Sequence, residues 1–353
     1  MSCSYCELCP SLPSGPGTVF LQSPQPLIKA KVEQALAGAT KGEVTSTDQA
    51  FFVPSFAEFL SSLLQFSAWT ALEKQDTILL FTPGSSFALS PNVEIRTLAR
   101  WESLTNAGFL IDILSNNRLV SHFHPIWDLP RQTLFGYECL IRGQEANGAL
   151  IPPSRLFGAA KENRLLFNLD RQARQSALRS AARFPVQTKL FINFVPTAIY
   201  DPIFCLESTV GLAHQLGITP DRVVFEVIET EEVDDWNHLE KILTFYRKNG
   251  FQIALDDVGS GYSSLNRLVQ IRPDIIKIDL EIIRNIERDP VKQSVFRALA
   301  AIARENGIKL LAEGVETSEE LAFVTNEGAD LAQGYLWGPP SAELGVPQFE
   351  VHP

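Results

Sequence analysis

From Ser121 onward the chain repeats one pattern: a short apolar run rich in β-branched and aromatic residues, a helical stretch, then another short run. The runs predict strands at Phe123–Trp127, Phe135–Ile141, Lys189–Phe194, Val223–Ile228, Gln252–Leu255, Ile275–Ile278, Lys309–Ala312 and near Leu331–Gln333. The helical stretches carry their own punctuation. Val291–Asn306 follows Asp289-Pro290 and stops at Gly307, and Thr317 with Glu320 makes a capping box ahead of a helix closed by Gly328. About eight strands alternating with helices in about 230 residues predict a TIM-like (β/α)8 barrel. A doubly wound open sheet is the alternative, although no Gly-x-Gly-x-x-Gly follows an early run.

Each run after the first carries a polar residue inside it or directly after it. They are Glu138, Asn193, Glu226, the pair Asp256 and Asp257, Lys277, Glu313 and Gln333. In a barrel all these strand ends meet at the face that carries active sites. Two adjacent carboxylates about 4 Å apart repel by roughly 4 kcal/mol at an effective dielectric near 20. Hard divalent cations, Mg²⁺ or Mn²⁺, offset that repulsion because they favour oxygen ligands. Asp256 and Asp257 side by side suit a bridge between two such ions, the arrangement that serves in-line displacement at phosphorus. Any one of these acids alone reads as a helix cap or a surface ion pair; the set does not. Lys277 either neutralises an acid or positions the attacking water. Glu229 and Glu316, each three residues past a site acid, are read as groups supporting the loop with Gly259 and Gly261, or as solvated side chains. Arg142 offers a fork for a phosphate oxygen. These residues together predict metal-assisted phosphoester hydrolysis without naming the ester.

A formal net charge of −11 argues against binding a nucleic-acid polymer, which needs a basic footprint. No run of apolar residues is long enough to span a membrane, and the first residues lack a basic-then-apolar leader, so the expectation is a cytoplasmic protein without a membrane anchor. Cys139 and Cys205 sit among apolar residues and read as core. Cys3, Cys6 and Cys9 either hold a metal or belong to a tail with free thiols; a closed zinc site needs a fourth ligand that the sequence does not offer nearby.

The domain reading follows. Residues 1–27 are a Cys-containing tail and a Pro/Ser/Gly-rich arm. Residues 28–117 are mainly helical, with Ser55 and Glu58 capping an apolar periodic run, and form a regulatory or dimerising region or a packing appendage. Residues 118–353 form the barrel.

The strings "HFHPIWDL" (122–129), "GYECLIRG" (136–143), "INF" (192–194), "FEVIE" (225–229), "DDVGSGYSSL" (256–265), "IIKID" (275–279), "AEGVET" (312–317) and "QGYLWGPP" (333–340) together resemble the EAL family of cyclic di-GMP phosphodiesterases. The resemblance covers roughly residues 118–340. It implies a TIM-like barrel that opens cyclic di-GMP to linear pGpG with two Mg²⁺ or Mn²⁺ ions. By the family pattern Glu138, Asn193, Glu226 and Asp256 bind one ion, and Asp256, Asp257 and Glu313 serve the other. Lys277 helps hold and activate the attacking water, and Gln333 orients its surroundings. Arg142 contacts phosphate, Leu140 lies against a guanine, and His124 stands where the family has a Gln that touches substrate. The loop from Asp257 to Ser264, anchored by Glu229, couples metal binding to a homodimer formed through the barrel. Departures are Cys139 in the Glu-Ala-Leu signature, His124, Gly143, Val195, Val258 and Pro339. They fall on the substrate rim and loop packing, and every ligand position survives. The rim changes motivate a second reading, a receptor that binds the dinucleotide or a protein partner without cleaving.

Overall fold

The computed structural model describes residues 13, 15–22, 31, 46–47, 50–65, 69–84, 96–184, 188–228, 235–259 and 264–344. Cys3, Cys6, Cys9, Glu229 and Gly261 lie outside them. The chain divides into two compact units, one drawn from residues 8–115 with 157–165 and the other from 116–156 and 166 onward.

The first unit holds β1 (Gly17–Gln22), β2 (Ser46–Thr47), β3 (Ala50–Val53), α1 (Phe56–Gln65), α2 (Ala71–Asp76), β4 (Ile78–Pro83), β5 (Arg96–Thr97), α3 (Leu98–Asn106) and α4 (Gly108–Ser115). Its strands form an antiparallel sheet in the order β2-β3-β1-β4-β5. The helix α1 buries Phe56, Phe59, Leu60 and Leu63, the i, i+3, i+4, i+7 stripe of a helix lying on a core. Val19, Leu79 and Trp101 join that core, and Trp101 Nε1 donates to Leu79 O at 2.9 Å. The helices expected here are present, and a five-stranded sheet that the sequence did not announce shares the region with them. Residues 10–27 are likewise more than an arm, because they contain the central strand β1. Its Pro and Gly flanks dominate the local composition, while its partners lie tens of residues away, where no local signal reaches.

The second unit holds β6 (Leu119–Asp128), β7 (Thr133–Gln144), β8 (Leu150–Ile151), α5 (Pro153–Asn163, shared with the first unit), α6 (Leu166–Ala181), β9 (Lys189–Asn193), α7 (Pro202–Gln215), β10 (Val223–Ile228), α8 (Trp236–Lys248), β11 (Gln252–Val258), α9 (Ser264–Ile271), β12 (Ile275–Ile278), α10 (Leu280–Ile283), α11 (Pro290–Asn306), β13 (Lys309–Ala312), α12 (Ser318–Asn326) and β14 (Leu331–Gln333). The strand order is β6-β14-β13-β12-β11-β10-β9-β7-β8, and a β6–β7 pairing closes the ring. This is the expected TIM-like barrel with one reversal: β6 runs antiparallel to both β7 and β14, while the other barrel pairs are parallel. The cause is in the chain. Only Leu129, Pro130, Arg131 and Gln132 separate β6 from β7, enough for a hairpin and far too few for a parallel crossover.

Inside the ring, Ile126, Phe191, Val224, Ala254, Ile275, Leu311 and Leu331 form one apolar layer, a residue from each of seven strands, with Phe135 of the eighth packed against it. Outside it, a larger core packs strands against helices. Asp289 caps α11, whose C-terminal Gly307 takes φ 67°, and Thr317 and Glu320 form the capping box of α12. Caps of this kind contribute about 1 kcal/mol each.

Candidate active site

Side chains two apart on a strand share a face. The apolar layer therefore determines what lies one rung above it. Phe191 leads to Asn193, Val224 to Glu226, Ala254 to Asp256, Ile275 to Lys277, Leu311 to Glu313 and Leu331 to Gln333. On the reversed strand β6 the step runs backwards, from Ile126 to His124. On β7 the step from Phe135 to Glu138 is three residues, and the β6–β7 register shifts by one residue between Ile126 and Trp127 to absorb it.

Asp256 and Asp257 are neighbours, so regular pleating would send them to opposite faces. The register between β11 and β12 shifts between Leu255 and Val258, inserting one extra residue. Asp257 adopts φ 57°, the left-handed region that Asp tolerates better than most residues. This β-bulge re-aims the second carboxylate. As a result oxygens of Asp256, Asp257 and Glu313 lie within 4.8 Å of one another, and so do oxygens of Glu138, Glu226 and Asp256. The two sets share Asp256.

Lys277 sits among them, 1% exposed. Its Nζ is 2.7 Å from Glu226 Oε1, 2.8 Å from Glu313 Oε1, 2.9 Å from Asp256 Oδ1 and 3.6 Å from Glu138 Oε1. Asn193 Nδ2 donates to Glu226 Oε2 at 2.9 Å and to Glu138 Oε1 at 3.4 Å. Gln333 Nε2 donates to Glu138 Oε2 at 2.7 Å and meets His124 Nδ1 at 2.7 Å. Because Glu138 is a carboxylate, the Gln333 amide must present its NH₂ there, so His124 Nδ1 accepts and the ring is the neutral Nε2–H tautomer. Burial holds the His124 pKa below its usual value, in agreement.

Burial, with neighbouring acids adding to it, pushes Glu226 and Glu313 well above the ordinary carboxylate range. Burial and the charge of Asp256 raise Asp257 to about 6. Burial alone would raise Glu138 too, but Lys277, Gln333, His124 and Asn193 hold it below its usual value. Burial would lower Lys277, yet the surrounding carboxylates keep it well above its own. Four carboxylates thus surround one ammonium, with Asp257 beside Asp256, and the upward shifts of Glu226, Glu313 and Asp257 show that this crowd of acids favours added positive charge, from protons or from a metal. The donor set is hard oxygen, which fits Mg²⁺ or Mn²⁺.

Other sequence expectations divide. Leu140 and Arg142 continue the Glu138 face of β7 and are half-buried, and Arg142 Nη1 donates to Ile141 O at 2.8 Å. Cys139 is buried in the outer core, on the face away from Glu138. Gly259 takes φ 106°, and a Cβ there would lie 2.1 Å from Ile282 Cδ1. Glu316 does not join the acid cluster: Arg284 grips it with two nitrogens.

A buried network was absent from the sequence reading. Asp170 and Arg174 of α6 are 1% and 0% exposed. Asp170 Oδ1 accepts from Val195 N at 2.8 Å, two residues past Asn193, and its Oδ2 accepts from Arg174 at 2.7 Å and 3.1 Å. Arg174 Nη1 reaches Thr209 Oγ1 at 2.8 Å. The network fixes the exit of β9 and with it Asn193. In sequence the pair reads as a solvated i, i+4 ion pair.

The family model described as "EAL domain" matches residues 101–340. PdeR of Escherichia coli K12, a cyclic di-GMP phosphodiesterase, is 30% identical over 232 residues, 64% of this chain and 34% of that protein. An uncharacterized signaling protein of Caulobacter vibrioides is 29% identical over 232 residues, 65% of this chain and 28% of that protein. The chain thus spans about a third of the length of these curated relatives. Among solved structures, a standalone EAL protein of Vibrio cholerae O395 in its c-di-GMP bound form matches with a TM-score of 0.58 at 37% identity, over 63% of this chain and 92% of that one.

Proposed function

The chain belongs to the EAL domain family, and from that premise we propose that it hydrolyses cyclic di-GMP to linear pGpG with two Mg²⁺ or Mn²⁺ ions. The observation that carries the reading is the pair of acid groups sharing Asp256. Glu138, Asn193, Glu226 and Asp256 would hold one ion, and Asp256, Asp257 and Glu313 the other. The ions, when bound, supply charge stabilisation to the attacking and leaving oxygens. In the reaction a water oxygen bonds to phosphorus, one P–O3′ bond breaks, the water gives up a proton and the leaving oxygen gains one.

The chain's own residues do the rest. Lys277 keeps the acids from repelling one another apart and brings fixed positive charge to the phosphoryl group as its charge builds. Gln333 holds Glu138 in one orientation. Arg142, on the same face of β7, offers its guanidinium to a phosphate oxygen, and Leu140 offers an apolar surface to a guanine. Val269, Leu280, Val291 and Val295 are large apolar side chains left exposed on α9, α10 and α11, which supports association of two barrels. The region ahead of residue 118 is assigned a regulatory or dimerising role. Among the described residues no helix is long and apolar enough to cross a membrane, in keeping with the cytoplasmic location proposed here.

His124 favours a second reading. It is 8% exposed and engaged with Gln333, so the rim differs from the family pattern at a substrate contact, as in a receptor that binds without cleaving. Incubation with cyclic di-GMP in Mg²⁺, in Mn²⁺ and in chelator, with pGpG read by chromatography, separates the two. Metal-dependent pGpG that vanishes in Glu138→Ala is expected. Binding without product under every metal would overturn the hydrolase in favour of the receptor.

A further inference from the structure

A second concavity lies away from the acid cluster, against the outer face of β6, with a volume of about 480 Å³. That size falls within the range of small-ligand sites. Ser121 and Phe123 of β6 border it, together with Arg179 in the last turn of α6 and Arg183 just beyond. Arginines at a helix end ordinarily complement the carbonyl dipole. Two observations go further than that.

The first is charge. The chain carries a formal net charge of −11, yet among the described residues no Asp or Glu borders this cavity, while Arg179 and Arg183 both do. Both arginines are exposed, and among the described residues neither guanidinium has an ion-pair partner. The second is a lone hydroxyl. Ser121 is 4% exposed, and its Oγ is buried without a hydrogen-bond partner among the described residues, a state that is costly unless something fills the space. Phe123 exchanges both its backbone bonds with Ser341 on the edge away from β7, and by strand alternation Ser121 presents its N–H and C=O along that edge too.

We propose that this cavity binds a phosphate monoester of about nucleotide size. The guanidinium forks of Arg179 and Arg183 take the phosphate, the Ser121 hydroxyl supplies a further hydrogen bond, and the organic body lies against Phe123 and Phe184, whose rings form an edge-to-face wall 6.0 Å apart. By strand alternation Ser121 and Phe123 turn to the face of β6 opposite His124, with Phe123 in the outer core, so this site is separate from the acid cluster and does not rest on the hydrolase reading.

The test is calorimetric titration of the full chain in chelator with AMP, and separately with inorganic phosphate. AMP is expected to bind at least about tenfold more tightly than inorganic phosphate, since only AMP reaches the aromatic wall. Arg179→Ala and Arg183→Ala should each weaken AMP by about tenfold or more, and Ser121→Ala by a smaller factor. Both arginines are exposed, so the variants are expected to fold, with circular dichroism as the check. Saturating cyclic di-GMP should leave AMP binding unchanged. Absence of AMP binding, undiminished binding in both arginine variants, or displacement by cyclic di-GMP would overturn the site. Equal affinity for inorganic phosphate would overturn its organic half.

Discussion

Replacing Lys277 with Met keeps most of the side-chain volume and removes the one ammonium that Glu226, Asp256 and Glu313 share at 2.7–2.9 Å. Glu226 is 0% exposed and Lys277 1%, so water cannot take over the lost role. Leaving a buried charge without its partner costs about 3–5 kcal/mol. In a unit of this size 1 kcal/mol corresponds to a Tm change of about 2–4 °C, so the metal-free variant should melt about 6–20 °C below the parent. The deficit has a pH signature. Burial already holds Glu226 and Glu313 above their unfolded-state pKa, and removing Lys277 raises them further. A carboxylate raised in the folded state weakens folding above its unfolded pKa, and the lost stability returns as pH falls through the raised value. The gap between variant and parent should therefore narrow on acidification. Excess Mn²⁺ should also narrow it, because a cation bound only to the folded state stabilises by mass action. Thermal unfolding by circular dichroism, in chelator and in Mn²⁺ at several pH values, measures all of this. A variant melting within about 2 °C of the parent in chelator at neutral pH would refute the reasoning, since the acids would then not depend on the ammonium.

Three further outcomes are expected. Asp257, held at about 6, carries a proton below that pH, and a cation must displace it; apparent Mn²⁺ affinity should fall by up to about tenfold per pH unit below 6, with protons released on binding, as calorimetry in two buffers of different ionisation enthalpy will read. Gly334→Ala places a Cβ 2.0 Å from Val315 O, against backbone that cannot yield, so stability should drop by at least about 1–3 kcal/mol in urea unfolding. Asp170→Ala strands Arg174 at 0% exposure and should cost about 3–5 kcal/mol; adding Arg174→Met to it should return part of that loss, and a double variant no more stable than the single would count against the buried pair.

The sequence by itself determined the strand positions of the barrel and nearly all of its polar rung. Period-two patterning is local, so Phe-Ile-Asn, Val-Phe-Glu, Ala-Leu-Asp, Ile-Ile-Lys, Leu-Ala-Glu and Leu-Ala-Gln each announce an apolar residue and a polar one on the same face of a strand. The reversal of β6 was also written there, in the four residues before β7. Tertiary structure decided what local patterning cannot carry. The N-terminal sheet pairs β1 with segments far along the chain, and its register depends on contacts that no single window contains. The bulge at Asp256 and Asp257 exists because β12 opposes it, and only that opposition turns two neighbouring carboxylates to one face. Asp170 and Arg174 look like a solvated pair until α6 packs against the barrel and α7, where burial converts an ordinary ion pair into the anchor of Asn193. Burial also separates Glu316, which resembles a site acid in sequence, from Glu313, which is one: the chain turns outward at Gly314, and three residues later the same side-chain chemistry meets Arg284 instead of Lys277.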